Sequence, residues 1–243
     1  MTRTGPPPWP RRPALFLDLD GTLVEIVEHP SLTRASPRLL RLLGKLPEPC
    51  GGAVAVISGR RIEDVDRILA PHRLPAAGVH GLERRGADGR IAVFSPGDGL
   101  ERMRRKVEPF VAGHEGVWIE DKRIAFAVHY RQRPELEADV RLLVRELQRE
   151  APPDIEVLAG NRVFEIKPSV ADKGRAIERF AAESPFVGRT PVFIGDDVTD
   201  ETGFRSVNAL GGVSVKVGDG PSLARWRLAG VDEVLGWLER IVS

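Results

Sequence analysis

Leu17-Asp18-Leu19-Asp20-Gly21-Thr22-Leu23 is the stretch on which the reading of this chain turns. It sets two carboxylates two residues apart, after the apolar residues 14–17 and before a glycine. A strand that ends this way presents both acids at its carboxyl edge, where open α/β sheets place their ligands. Acids that close repel each other unless a cation or a proton lies between them. Mg²⁺, a hard ion that prefers oxygen, is the natural neutraliser. The pattern therefore points to metal-assisted phosphoryl chemistry with a carboxylate nucleophile.

Composition narrows the class. The 243 residues are 42% hydrophobic and 29% charged, ordinary for a globular chain with one large core or two smaller ones. A net charge of +1 leaves no strong nucleic-acid footprint. The basic run Arg102, Arg104, Arg105 and Lys106 sits in a helical pattern and reads as a solvated face. Cys50 is the only cysteine, so no internal disulfide forms and a reducing compartment is compatible. Residues 1–13 are rich in proline and arginine and read as a frayed tail, not a signal peptide. No apolar run reaches the roughly 18 residues of a membrane span. The expectation is a cytoplasmic protein, monomeric by default, with neither a nucleic-acid nor a membrane partner.

Outward from the opening motif, strand and helix patterns alternate: strand 14–19, helix 36–46, strand 53–57 and helix 61–69. The alternation returns as helix 172–182, strand 192–194, helix 199–207 and strand 213–217, with two more helical segments expected at the end. This is the pattern of a parallel sheet covered by helices. The middle differs. A hairpin is expected over 81–94 around Gly86-Ala87-Asp88-Gly89. It is followed by a helix through Leu100, Met103, Val107, Phe110 and Val111, a hairpin of 117–120 with 124–130, a helix opened by Pro134, and a strand pair 155–158 and 163–167. This ββ-α-ββ-α-ββ module reads as an inserted α+β domain at 85–165, with 1–84 and 166–243 forming the α/β domain.

Four places carry the chemistry. Asp18 is the expected nucleophile and Asp20 the general acid and base, although Asp-Gly is also a common turn pair with solvated acids. Ser58-Gly59-Arg60 follows the second strand, where a hydroxyl and free N–H groups suit a phosphate oxygen. Ser58 reads equally as a helix N-cap. Lys173 opens a helix whose dipole favours anions there, which makes sense if the amine faces an anion cluster. The bland alternative is a solvated lysine. Asp196, at the end of 192–194, can complete a Mg²⁺ site with Asp18 and Asp20, with Asp197 and Asp200 as supporting acids. These acids also read as a cap and first-turn acids of a helix.

The order of these motifs resembles the phosphatase branch of the haloacid dehalogenase superfamily, over nearly the whole chain. The resemblance implies a Rossmann-like parallel-sheet core with an inserted α+β cap. It also implies Asp18 as nucleophile, Asp20 as acid and base, Ser58 and Lys173 on phosphate, and Asp196 on Mg²⁺. The segments Gly78-Val79-His80-Gly81-Leu82-Glu83, Glu120-Asp121-Lys122, His129-Tyr130-Arg131, Phe164-Glu165-Ile166-Lys167-Pro168 and Gly195-Asp196-Asp197-Val198-Thr199-Asp200-Glu201 are similar to the trehalose-6-phosphate phosphatases. That family implies hydrolysis of trehalose 6-phosphate through an aspartyl-phosphate, and Glu120, Lys122 and Glu165 as residues that hold the disaccharide. Period two independently puts Trp118, Glu120 and Lys122 on one strand face, and Val163, Glu165 and Lys167 on another. A polar face of this kind suits sugar hydroxyls or simply water. His80 and Arg131 are further candidates for substrate contact, together with Leu19, Gly59 and Arg60; His80 and His129 also read as structural. The rivals are phosphatases for sucrose phosphate or mannosyl-phosphoglycerate, and a non-catalytic sugar-phosphate sensor.

Overall fold

Residues 13–17 become the middle of a sheet because every one of their side chains is buried. Leu15 and Leu17 enter one apolar cluster, Ala14 and Phe16 another on the opposite face. A strand covered on both faces reads as a continuous apolar run, and each large side chain so buried contributes about 1.5–3 kcal/mol.

The computed structural model describes residues 3–95 and 97–242. In chain order the first elements are β1 (Arg3–Thr4), β2 (Pro13–Leu17), α1 (Pro37–Lys45), β3 (Val54–Ile57), α2 (Ile62–Leu69), β4 (Ala76–Gly78), β5 (Glu83–Arg85) and β6 (Ile91–Val93). Then come α3 (Gly99–Ala112), β7 (Trp118–Asp121), β8 (Phe126–His129), α4 (Glu137–Glu150), β9 (Ile155–Ala159) and β10 (Val163–Pro168). The chain ends with α5 (Lys173–Ala181), β11 (Thr190–Gly195), α6 (Glu201–Ala209), β12 (Val213–Val217), β13 (Trp226–Leu228) and α7 (Val231–Val242).

Nine strands form one sheet in the order β1-β13-β12-β11-β2-β3-β4-β5-β6. From β1 to β4 every neighbouring pair is parallel, and β5 joins β4 antiparallel. Side chains of α1, α2 and α7 fill one face, and those of α5 and α6 fill the other. The chain moves from β2 outward to β3 and β4, and later returns to β11 on the opposite side of β2. The carboxyl ends of β2 and β11 therefore flank the switch point where such sheets bind ligands. Leu17 pairs with both Ile194 and Val56, which brings residues 18, 58 and 196 to the same edge.

The second unit, Val93–Ala171, contains an antiparallel sheet ordered β7-β8-β10-β9. Phe126, Val128, Phe164 and Ile166 on one face pack with Met103 and Val107 of α3 and with Val140, Val144 and Leu147 of α4. The other face holds Trp118, Glu120, His129 and Glu165, as the register requires.

Four expectations change. The boundaries fall at 92/93 and 171/172 rather than 84/85 and 165/166. The first hairpin extends the large sheet, because β5 pairs with β4, while β10 runs on to Pro168 against Ile155. The small unit is thus α-ββ-α-ββ, without the leading hairpin. Only one helix closes the chain, since Trp226–Leu228 pairs beside β12 as a strand. The amino-terminal segment is tied down from Arg3 on: β1 pairs with β13, and Trp9 meets Trp237 edge-on at 5.5 Å. Met1 and Thr2 lie outside the described residues. Trp9→Ala should therefore destabilise the protein by about 1–3 kcal/mol, read as a lower midpoint in thermal unfolding; an unchanged midpoint would restore the frayed-tail reading.

Candidate active site

The turn after β2 is built by apolar anchors and one glycine. Leu19 and Leu23 are buried in the core, the Leu23 N–H donates to the Leu19 carbonyl at 2.9 Å, and the Asp18 N–H continues the ladder to the Ile194 carbonyl at 3.0 Å. The buried side chain of Leu19 leaves only its backbone for any substrate contact. Gly21 sits at φ +74°, and a Cβ there would lie 2.1 Å from Oδ2 of Asp196. Both the backbone conformation and the approach of Asp196 demand glycine.

Lys173 joins the two halves of the site. Its Nζ donates to Oδ1 of Asp18 at 2.7 Å and to Oδ1 of Asp200 at 2.7 Å. All three groups are buried. The other oxygen of Asp200 accepts the N–H groups of Asp196 at 3.0 Å and Asp197 at 2.9 Å. The α5 helix that carries Lys173 is capped by Asp172, which accepts from Gly174 and Arg175. Burial works against the Lys173 charge, but Asp18 and Asp200 outweigh it and raise the pKa.

The acids pay the opposite electrostatic penalty. Burial pushes Asp18 well above the carboxylate range against the pull of Lys173, and Asp200 and Asp196 push it further. Burial, then the Asp200 charge, lifts Asp196 to about 7. One carboxylate oxygen from each of Asp18, Asp196 and Asp200 lies within 4.8 Å of the others. Three close oxygen donors, with ionisation suppressed at two of them, match what a hard divalent cation requires. Asp200, expected as a supporting acid, completes this group. Asp20 lies outside this group of three, and the fork of Arg60 grips both its oxygens, Nε to Oδ2 at 2.6 Å and Nη2 to Oδ1 at 2.7 Å. Arg60 is fixed in turn by the Pro30 carbonyl at 2.9 Å and Thr33 Oγ1 at 2.7 Å.

Ser58 follows β3 directly and is buried, its hydroxyl accepting from the Arg60 N–H at 3.1 Å. His80 is buried against Gly59. In the small unit, Lys122 and Glu165 are buried and paired at 2.7 Å. Glu120 bonds His129 at 2.8 Å, and Trp118 stacks on that imidazole at 4.2 Å. Arg131 stands half-buried just beyond β8.

Sequence reasoning missed Thr33, the Trp118–His129 stack and Lys216, whose Nζ donates to the Asp196 carbonyl. A lysine inside the apolar strand Val213–Val217 was a legible signal; Thr33 had none.

The raised acids set a pH dependence for the metal-free protein. Between the ordinary 3.8 and about 7 the folded state holds a proton on Asp196 that the unfolded chain has lost. Stability therefore falls as pH rises through that window, and Asp18 acts in the same direction. In chelator, the thermal midpoint should be higher near about pH 6 than near about pH 8, and a divalent cation should restore the loss at the higher pH. A midpoint that rises with pH would contradict the coupling.

Comparison with known proteins agrees with this geometry. The trehalose-phosphatase family model matches residues 16–232. The trehalose-6-phosphate phosphatase of Escherichia coli (strain K12) is 44% identical over 231 residues, 95% of this chain and 86% of that protein. A probable trehalose-phosphate phosphatase of Sinorhizobium fredii is 41% identical over 205 residues, 84% and 77% of the two chains. The fold matches the C-terminal domain of trehalose-6-phosphate phosphatase from C. albicans with a TM-score of 0.87, at 23% identity, over 96% of this chain and 92% of that one. A switch point lined by these acids and a match along most of its length place the chain in the trehalose-phosphatase family of the haloacid dehalogenase superfamily.

Proposed function

We propose that this protein hydrolyses trehalose 6-phosphate to trehalose and phosphate through an aspartyl-phosphate on Asp18. The observation that carries the reading is the buried ammonium of Lys173 between Asp18 and Asp200, beside Asp196 at the switch point. It supplies fixed positive charge where a phosphoryl group would add negative charge. The names of the similar phosphatases support the substrate.

Asp18 attacks phosphorus as the bond to the sugar oxygen breaks, and Asp20 delivers a proton to that oxygen. Water then attacks the phosphorus of the aspartyl-phosphate, and Asp20 takes the proton that water loses. Phosphate departs and the Asp18 carboxylate is restored. Ser58 and the N–H groups of its turn hold the phosphate oxygens, while Lys173 offsets their charge. Arg60 fixes the position of Asp20 through its fork. A divalent cation, Mg²⁺ in our reading, would be held by Asp18 and Asp196 and would neutralise phosphate charge when bound. We read Val93–Ala171 as the cap that supplies specificity, with Glu120, Lys122 and Glu165 offering the acceptors and donors a disaccharide requires. A single cysteine supports a cytoplasmic setting.

Phosphate release tests this, with trehalose 6-phosphate, sucrose 6-phosphate, glucose 6-phosphate and an aryl phosphate compared with and without Mg²⁺. Strong Mg²⁺-dependent preference for the first is expected, and Asp18→Asn should lower kcat by at least about a thousandfold while the protein stays folded. Preference for another sugar phosphate would remove the cap assignment, and turnover by Asp18→Asn would remove the nucleophile. Lys122→Met removes a charged partner of the buried Glu165 acid and should raise KM for trehalose 6-phosphate by about tenfold or more without changing KM for the aryl phosphate. Equal changes for both substrates would count against a role in sugar recognition.

A further inference from the structure

The turn Gly78-Val79-His80-Gly81 has no task in the chemistry above, yet its backbone is the most contorted near the site. Val79, His80 and Gly81 follow one another at φ 47°, 53° and 98°. For a β-branched residue such as Val79 this is an outlying conformation. Strain of this kind persists only where surrounding contacts over-determine it.

Those contacts lead to two elements of the site. On one side, the Val79 N–H donates to the Arg60 carbonyl at 2.8 Å and the His80 N–H to the Ser58 carbonyl at 2.9 Å. The His80 ring presses on Gly59, where a Cβ would lie 2.8 Å from both Cε1 and Nε2. A Cβ on Gly78 would come within 2.8 Å of the Arg60 carbonyl oxygen and the Ile62 nitrogen. On the other side, a Cβ on Gly81 would sit 3.1 Å from Cβ of Ala176 and 3.3 Å from the Asp172 carbonyl. Asp172 and Ala176 bracket Lys173 at the start of α5.

We infer that this turn is a spacer wedged between the Ser58 turn and the Lys173 end of α5, and that His80 is a positioning residue whose ring shapes the Gly59 peptide. The inference rests on the reading of Ser58-Gly59-Arg60 as the phosphate turn. Hydroxyl and N–H donors hold a tetrahedral anion only when they converge, so displacement of one peptide is felt directly in phosphate affinity. The left-handed backbone aims two N–H groups at the carbonyls of Ser58 and Arg60. The glycines at 59, 78 and 81 permit the three close approaches.

The test measures competitive inhibition by inorganic phosphate, together with thermal midpoints, in the full-length enzyme. Ser58→Ala serves as the control: if it leaves the phosphate inhibition constant unchanged, the phosphate-turn reading fails independently of the spacer. With that control positive, Gly59→Ala should raise the constant by about tenfold or more, because the new methyl meets the His80 ring. The double variant Gly59→Ala/His80→Ala should recover to within about threefold of His80→Ala alone. Multiplicative effects in the double variant, or coupling seen in the thermal midpoint and not in the inhibition constant, would overturn the inference. Should Gly59→Ala fail to fold, His80→Ala alone decides: a rise of about threefold or more supports the spacer, and an unchanged constant overturns it.

Discussion

Lys173 is one ammonium between two buried carboxylates, and the rest of the site is organised around it. A buried lysine is tolerable only with close anionic partners, and a buried acid only with a cation. Removing one member of such a set typically costs about 3–5 kcal/mol because the others are left uncompensated. Asp18 comes from the end of β2 and Asp200 from the turn after β11, so this interaction closes the switch point of the sheet from both sides. Lys173 between Asp18 and Asp200, with Lys216 at the Asp196 carbonyl, sets two positive charges against three carboxylates and leaves a local excess of negative charge. Burial first, and then the neighbouring acids, raise Asp18 and Asp196, which makes the place receptive to a divalent cation.

The scaffold keeps that excess from collapsing. Asp200 is turned by two N–H groups of its own loop, and Gly21 lets Asp196 approach the nucleophile turn where any side chain would block it. Asp20 is drawn aside by Arg60, which Thr33 and the Pro30 carbonyl hold in place. Two acids of the same short motif thus meet different fates. One faces a lysine in a buried cluster; the other meets an arginine fork in a half-exposed position.

The two units are built on different polarity patterns. The nine-stranded sheet is apolar through its middle and polar only at its edge, so rigid packing sets the positions of the reacting groups. The small sheet is apolar on the face that meets α3 and α4. On its other face it carries the Lys122–Glu165 pair and the Glu120–His129–Trp118 chain.

The sequence by itself determined the alternating β/α frame, the inserted α+β module and the acids, serine and lysine of the edge. Those features are local: apolar runs, period-two faces, caps and short motifs show themselves within a few residues of each other. Two helical segments are expected at the end where the fold has one, because pairing between β1 and β12, not local propensity, makes residues 226–228 a strand. The hairpin of β5 and β6 read as part of the insertion because only the pairing of β5 with β4 assigns it to the large sheet. Likewise, Asp20 and Asp200 carry the same carboxylate. Only the fold, which sets Arg60 against one and Lys173 against the other, decided which of them joins Asp18 and Asp196. Charge partners brought from 40 and 27 positions away along the chain leave no trace in the neighbouring letters.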